Sequence, residues 1–178
     1  MLVKNRHQLY MNHLTETYLR TELIFRTADG ITWGTVADTT KGSVFRPGGA
    51  LGLLDLEVTS ALVVTAWNPL GQEYQVEQNE SLQSSLINDL QKLGLTFLPV
   101  LGQEPGGGWK EESLLIPNHP ELKTFEKVYL LADKYEQNAI FEITDTTKKV
   151  IGVRMRDISG ESGYRLLPLG TQSIGKDV

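Results

Sequence analysis

A set of side chains spread over separate segments has the types needed to hold a small molecule: Trp67 and Asn68, Asn79, the alternating Trp109, Glu111 and Ser113, and the pair Gln137 and Asn138. A carboxamide carries both donors and an acceptor, so paired Asn and Gln side chains match the mixed edges of polar molecules. Trp67 and Trp109 add flat faces for stacking. Glu111 is the one carboxylate of the set, suited to acid, base or anchoring work, while Glu112 falls on the opposite face if the segment is a strand. Each residue also has an ordinary explanation. Asn68 before Pro69 starts a turn, Asn79 caps a helix, Gln137 and Asn138 end one, Glu111 faces solvent and indoles fill cores. Taken singly, the ordinary explanation carries more weight, and the functional one depends on the fold bringing the set together.

Other chemistries find little support. The absence of cysteine removes disulfides, thiolate metal sites and cysteine nucleophiles. His7, His13 and His119 are too scattered for a triad or a His-based metal site. Ser113 lacks a nucleophile elbow, no redox motif is present, and no cofactor is expected. The run Gly106-Gly107-Gly108-Trp109-Lys110 has bare amides and a cation, yet it has no Gly-Lys-Ser/Thr ending and opens no helix, so a hairpin loop is preferred over a phosphate cradle.

The elements that must position the set follow from periodicity. Residues 6–18 have helical spacing, 21–27 and 31–37 read as strands around Ala28-Asp29-Gly30, and the Gly- and Pro-rich segment 38–55 reads as an irregular loop. Ala61 to Trp67 is a nearly continuous β-prone run, which suits a central strand buried on both faces. Leu82, Leu86, Leu90 and Leu93 form a helix stripe, with Asn79 as N-cap and Gly94 as stop, and Leu95 to Leu101 is again a strand. This is a βαβ unit whose two strands run parallel. A strand from Trp109 to Ile116 returns antiparallel, a helix spans Pro120 to Glu136, and 139–144 with 150–155 closes a hairpin. The expected fold is α+β or α/β: a mixed sheet with one βαβ unit, two main helices and flanking antiparallel hairpins. Residues 1–156 form one domain and 157–178 a loosely attached tail. Following strand directions, the ends carrying Asn68, Asn79, Glu111 and Gln137 all arrive at one sheet edge, where α/β folds bind ligands.

Composition narrows the partners. The net charge is −5, and Lys148, Lys149, Arg154 and Arg156 are interrupted by Asp145, Asp157 and Glu161, reading as a solvated strand edge. Nucleic acid is therefore not the expected partner. No apolar run approaches the ~18 residues that cross a bilayer, and the N-terminus lacks the pattern of a secretory leader. A soluble, cytoplasmic protein is expected, with no membrane partner.

Thr65-Ala66-Trp67-Asn68-Pro69, Asn79 ahead of a leucine-rich helix, Trp109-x-Glu111-x-Ser113 and Gln137-Asn138-Ala139-Ile140 together resemble a family of small bacterial proteins catalogued as a domain of unknown function, number thirty-two ninety-three. The resemblance spans roughly Leu62 to Ile143, and Tyr18 and Thr21 match its N-terminal part. It implies a shared fold and a shared site, and no particular activity. Two functions are carried forward. One is a small polar-ligand site, for a nucleotide-like or other polar molecule, in a hydrolase or transferase if it is an enzyme. The other is a non-catalytic protein-interaction module whose amide cluster is structural and whose contacts lie in 38–55 or the tail.

Overall fold

The computed structural model describes residues 17, 18, 20–26, 32–35, 51, 56–104, 108–145, 147–154 and 168–173. Within them the chain runs β1 (Glu22–Arg26), β2 (Thr32–Thr35), β3 (Ala61–Val64), α1 (Val76–Lys92), β4 (Leu98–Gln103), β5 (Lys110–Pro117), α2 (Thr124–Lys134), β6 (Ala139–Ile143), β7 (Thr147–Gly152) and β8 (Pro168–Ser173). The strands form one eight-stranded sheet in the order β2-β1-β4-β5-β3-β6-β7-β8. The fold is α+β, with both expected helices and the expected hairpins in place.

The βαβ unit is split. β3 and β4 run in the same direction, but β5 lies between them and pairs antiparallel with each, Val63 facing Leu115 on one side and Val100 facing Ser113 on the other. Every described pair is consequently antiparallel, so the described sheet is antiparallel rather than mixed, and the expected parallel pairing of β3 with β4 does not occur. Periodicity specifies the crossover and its direction, whereas the choice of neighbour depends on side-chain packing across strands.

β3 is buried on both faces, as its unbroken apolar run requires. Leu62 and Val64 join Leu86 and Leu90 of α1 and Val128 and Ala132 of α2 in a core on one face of the sheet. Ala61 and Val63 join Leu23, Phe25, Leu51, Leu115 and Ile143 in a second core on the other. The β3 ladder stops at Val64 rather than Trp67, because side chains take over the next backbone groups: Thr65 Oγ1 donates to Glu112 O at 2.6 Å, and Ala66 N donates to Gln83 Oε1 at 2.9 Å.

Two helix boundaries differ from expectation for local reasons. α1 starts three residues before Asn79, since Gln75 is the N-cap and its N–H donates to Gln78 Oε1 at 3.2 Å. Asn79 is therefore an inward-facing residue of the first turn rather than a cap. The segment from Pro120 to Leu122 is a tight 3-10 turn, and left-handed Lys123 (φ 52°) separates it from α2. Buried Thr124 holds that junction, accepting from His119 N at 3.2 Å and donating to His119 O at 3.1 Å.

Lys148 overturns the expectation of a solvated strand edge. It is 1% exposed on β7, and its Nζ donates to Thr21 O at 2.6 Å. Arg154 likewise bonds Asp133 Oδ1, at 2.9 Å. Residues 168–173, within the segment expected as a tail, form β8 on β7. Most of the N-terminal helix of 6–18, the turn at 28–30, most of the 38–55 loop and the rest of 157–178 lie outside the described residues; Thr17 and Tyr18 are helical, and Leu51 is buried. No described helix is long and apolar enough to cross a membrane.

The end of α1 supplies a test. Gly94 N donates to Gln91 O and Leu95 N to Leu90 O, a Schellman pattern with Gly94 at φ 69°. A Cβ there would meet nothing within 4 Å, so only the backbone resists substitution. Gly94→Ala is expected to cost about 1–2 kcal/mol in urea denaturation, and Gly94→Asn less. Equal stability of Gly94→Ala and the parent would contradict the left-handed cap.

Candidate functional site

The directions of the strands bring five element ends to one edge: the finish of β3 and of β4, and the start of α1, β5 and β6. A cavity of about 570 Å³ opens there. Trp67, Asn68, Asn79, Trp109, Glu111, Ser113, Gln137 and Asn138 all line it. Glu112, one residue out of phase with the alternating trio, is exposed on the opposite side of β5.

The amides are largely occupied with one another and with the backbone. Asn68 Oδ1 accepts from Tyr74 N at 3.0 Å and Asn79 Nδ2 at 2.9 Å, while Asn68 N donates to Asn79 Oδ1 at 2.8 Å. Gln137 Nε2 donates to Trp67 O at 3.0 Å and Tyr135 O at 3.1 Å, tying the exit of α2 to the end of β3. These bonds hold a turn of unfavourable backbone. Asn68 (φ 48°), Leu70 (φ 56°) and Gly71 (φ 70°) are all left-handed, and a residue preceding proline favours extended geometry. Leu70 N donates to Glu136 O at 2.8 Å, and a Cβ on Gly71 would come within 3.3 Å of Asn138 Nδ2. The turn is thereby pressed against the segment that carries Gln137 and Asn138.

Glu111 is differently placed. One oxygen, Oε1, accepts from Asn68 Nδ2 at 3.0 Å, and no other side-chain hydrogen bond to this carboxylate is found among the described residues. Desolvation raises its pKa above the ordinary 4.5, and the Asn68 hydrogen bond opposes the rise. The sign for stability follows: the folded state keeps this proton longer than the unfolded state, so its contribution is complete below about pH 4.5 and is lost as pH climbs through the folded value. Opposite Glu111 on β4 stands Gly102, which presents no side chain across the strand pair. A Cβ at Gly102 would make ordinary van der Waals contact at 3.7 Å with Glu111 O, Ser113 Oγ and Thr21 Cγ2.

Sequence reasoning missed part of the lining. Gly102, Tyr74 and Phe141 were not singled out, although a glycine inside an apolar strand is a signal of close approach. Tyr18 and Thr21 also line the cavity, Tyr18 meeting Phe141 edge to face at 6.1 Å between ring centroids. Buried Lys148 stands behind this wall, with Nζ 5.3 Å from the Phe141 ring centroid. Burial lowers its pKa to about 7, against the opposing charge of Glu22. Gly106 and Gly107 of the glycine run lie outside the described residues.

The described geometry thus separates residues that build the cavity from those that face into it. Residues 64–140 match the model of a family described as Protein of unknown function (DUF3293). This bears out the resemblance read from Trp67-Asn68-Pro69 and Gln137-Asn138-Ala139-Ile140, and all eight residues of the set fall inside the matched segment. No curated protein and no solved structure gives a significant match.

The turn yields a paired prediction. Asn68→Ala and Asn68→Gly both strand the N–H groups of Tyr74 and Asn79, a loss expected at about 1–3 kcal/mol. Ala also carries the left-handed strain, adding about 1–2 kcal/mol that Gly avoids. Chemical denaturation should rank the proteins parent, Gly, Ala. Unchanged stability in both variants would contradict the network, and equal loss would contradict the backbone assignment.

Proposed function

We propose that the cavity binds a small polar molecule and that Glu111 is the group that engages it. The observation that carries this is the state of the Glu111 carboxylate: it is half-buried, takes a side-chain hydrogen bond from Asn68 alone among the described residues, and is set opposite a glycine. A purely structural carboxylate at such a place would be expected to gather further donors, since desolvating charge without full compensation is costly. Ser113 and Asn138 supply neighbouring polar groups, and Trp67 and Trp109 supply faces for stacking. Asn68, Asn79 and Gln137 serve as positioning residues. If chemistry follows binding, a carboxyl with a raised pKa suits proton transfer in hydrolysis or group transfer.

The competing account, a protein-interaction module with a structural amide cluster, draws on the same internal bonding of Asn68, Asn79 and Gln137. It leaves Glu111 without a role, and that difference is measurable. A thermal-shift screen against nucleotides, sugars, amino acids and amines is expected to yield a stabilising compound, since a ligand at 100 times its Kd adds about 2.7 kcal/mol. With the best compound, Glu111→Gln should fold normally and lose the shift, and Glu112→Gln should retain it. Identical shifts in the two variants would assign Glu111 to the ordinary surface and favour the interaction module.

A further inference from the structure

The lining of the cavity is rich in aromatic side chains. Tyr18, Trp67, Tyr74, Trp109 and Phe141 all contribute to it, and each is half-buried. Its charged groups among the described residues are Glu111, with Glu73 and Lys110 exposed. Aromatic faces carry negative potential and attract cations held within about 6 Å of the ring centroid. A carboxylate among such faces reinforces the preference, because Coulomb attraction grows where water is excluded.

We infer that the ligand of this cavity is a compact organic cation, an ammonium group seated among the aromatic rings and paired with Glu111. The inference rests on the ligand-site reading above and narrows it, away from phosphorylated molecules. Three further observations support that direction. Glu104 lies over Gly108, where an added Cβ would collide with its carboxylate, so an acidic group occupies the end of the glycine run. Among the described residues Lys110 is the one cationic side chain in the lining, and it is exposed. Lys148, the buried lysine behind Phe141, is outside the lining and directs its Nζ to Thr21 O. Among the described lining residues an anion would therefore meet Glu73, Glu111 and aromatic faces, with Lys110 as the one cation to offset them.

The test is a matched pair of probes on the intact protein. Choline and 3,3-dimethylbutan-1-ol share a hydroxyl and nearly the same shape, and differ in the charge at the branched centre. Isothermal titration calorimetry should show choline binding about tenfold tighter or better, the scale of a desolvated cation–π contact. Glu111→Gln should remove that advantage and leave the weak binding of the neutral alcohol unchanged. Adenosine monophosphate, glucose and glutamine are titrated alongside. If the alcohol binds as well as choline, or if one of these three binds and choline does not, the cation assignment is overturned and the ligand site stands. If none of the five compounds binds, the cation assignment is overturned, and the ligand-site reading is decided separately by the thermal-shift screen.

Discussion

The carboxamide of Asn68 is the constraint on which this edge of the molecule depends. It sits in a left-handed conformation before Pro69, where the backbone by itself would prefer to be extended. Its oxygen collects the Tyr74 N–H and an Asn79 N–H, and its nitrogen reaches Glu111. One side chain thus fixes the exit of β3, the entry of α1 and the start of β5. A carboxamide is well suited to this position, having both donors and an acceptor on a short stem that tolerates left-handed backbone.

From that constraint the rest of the edge follows. With the turn at 68–71 held, Leu70 N reaches Glu136 O and Gln137 Nε2 reaches Trp67 O, so the end of α2 is drawn to the same place. The helices pack on one face of the sheet, and the cavity opens beside the second core on the other, where Leu23, Val63 and Phe141 continue into its wall. Burying apolar side chains on both faces stabilises the sheet, and the positioning amides place one half-buried carboxylate at its rim. Strain at the turn and incomplete solvation of Glu111 occur together, a pairing that proteins tend to concentrate at sites of binding or chemistry.

Much of this was legible in the sequence, and the failures have physical causes. Strand direction alone brought Asn68, Asn79, Glu111 and Gln137 to one edge, because a β-prone run, a leucine-striped helix and a returning strand leave little topological freedom. Period two placed Trp109, Glu111 and Ser113 together. The insertion of β5 between β3 and β4 was not legible, since neighbour choice is set by contacts between distant segments. Lys148 was misjudged for the same reason: its partner, the carbonyl of Thr21, is 127 positions away, and charge clustering says nothing of such a contact. Asn79 has the residue type of a cap, whereas a pair of glutamines begins the helix one turn earlier. Tyr74 and Phe141 gave no sign of facing a cavity, as an aromatic residue in a strand or a turn reads equally well as core.

The central claim is that Glu111 faces a desolvated cavity with its charge only partly compensated. Following its side-chain carboxyl resonance by NMR through an acid titration tests this directly. The account predicts a midpoint above the ordinary 4.5, because burial outweighs the Asn68 hydrogen bond, and a further rise in Asn68→Gly, where that bond is gone. A midpoint at or below 4.5 in the parent, unchanged by Asn68→Gly, would show a carboxylate in open water and contradict the account.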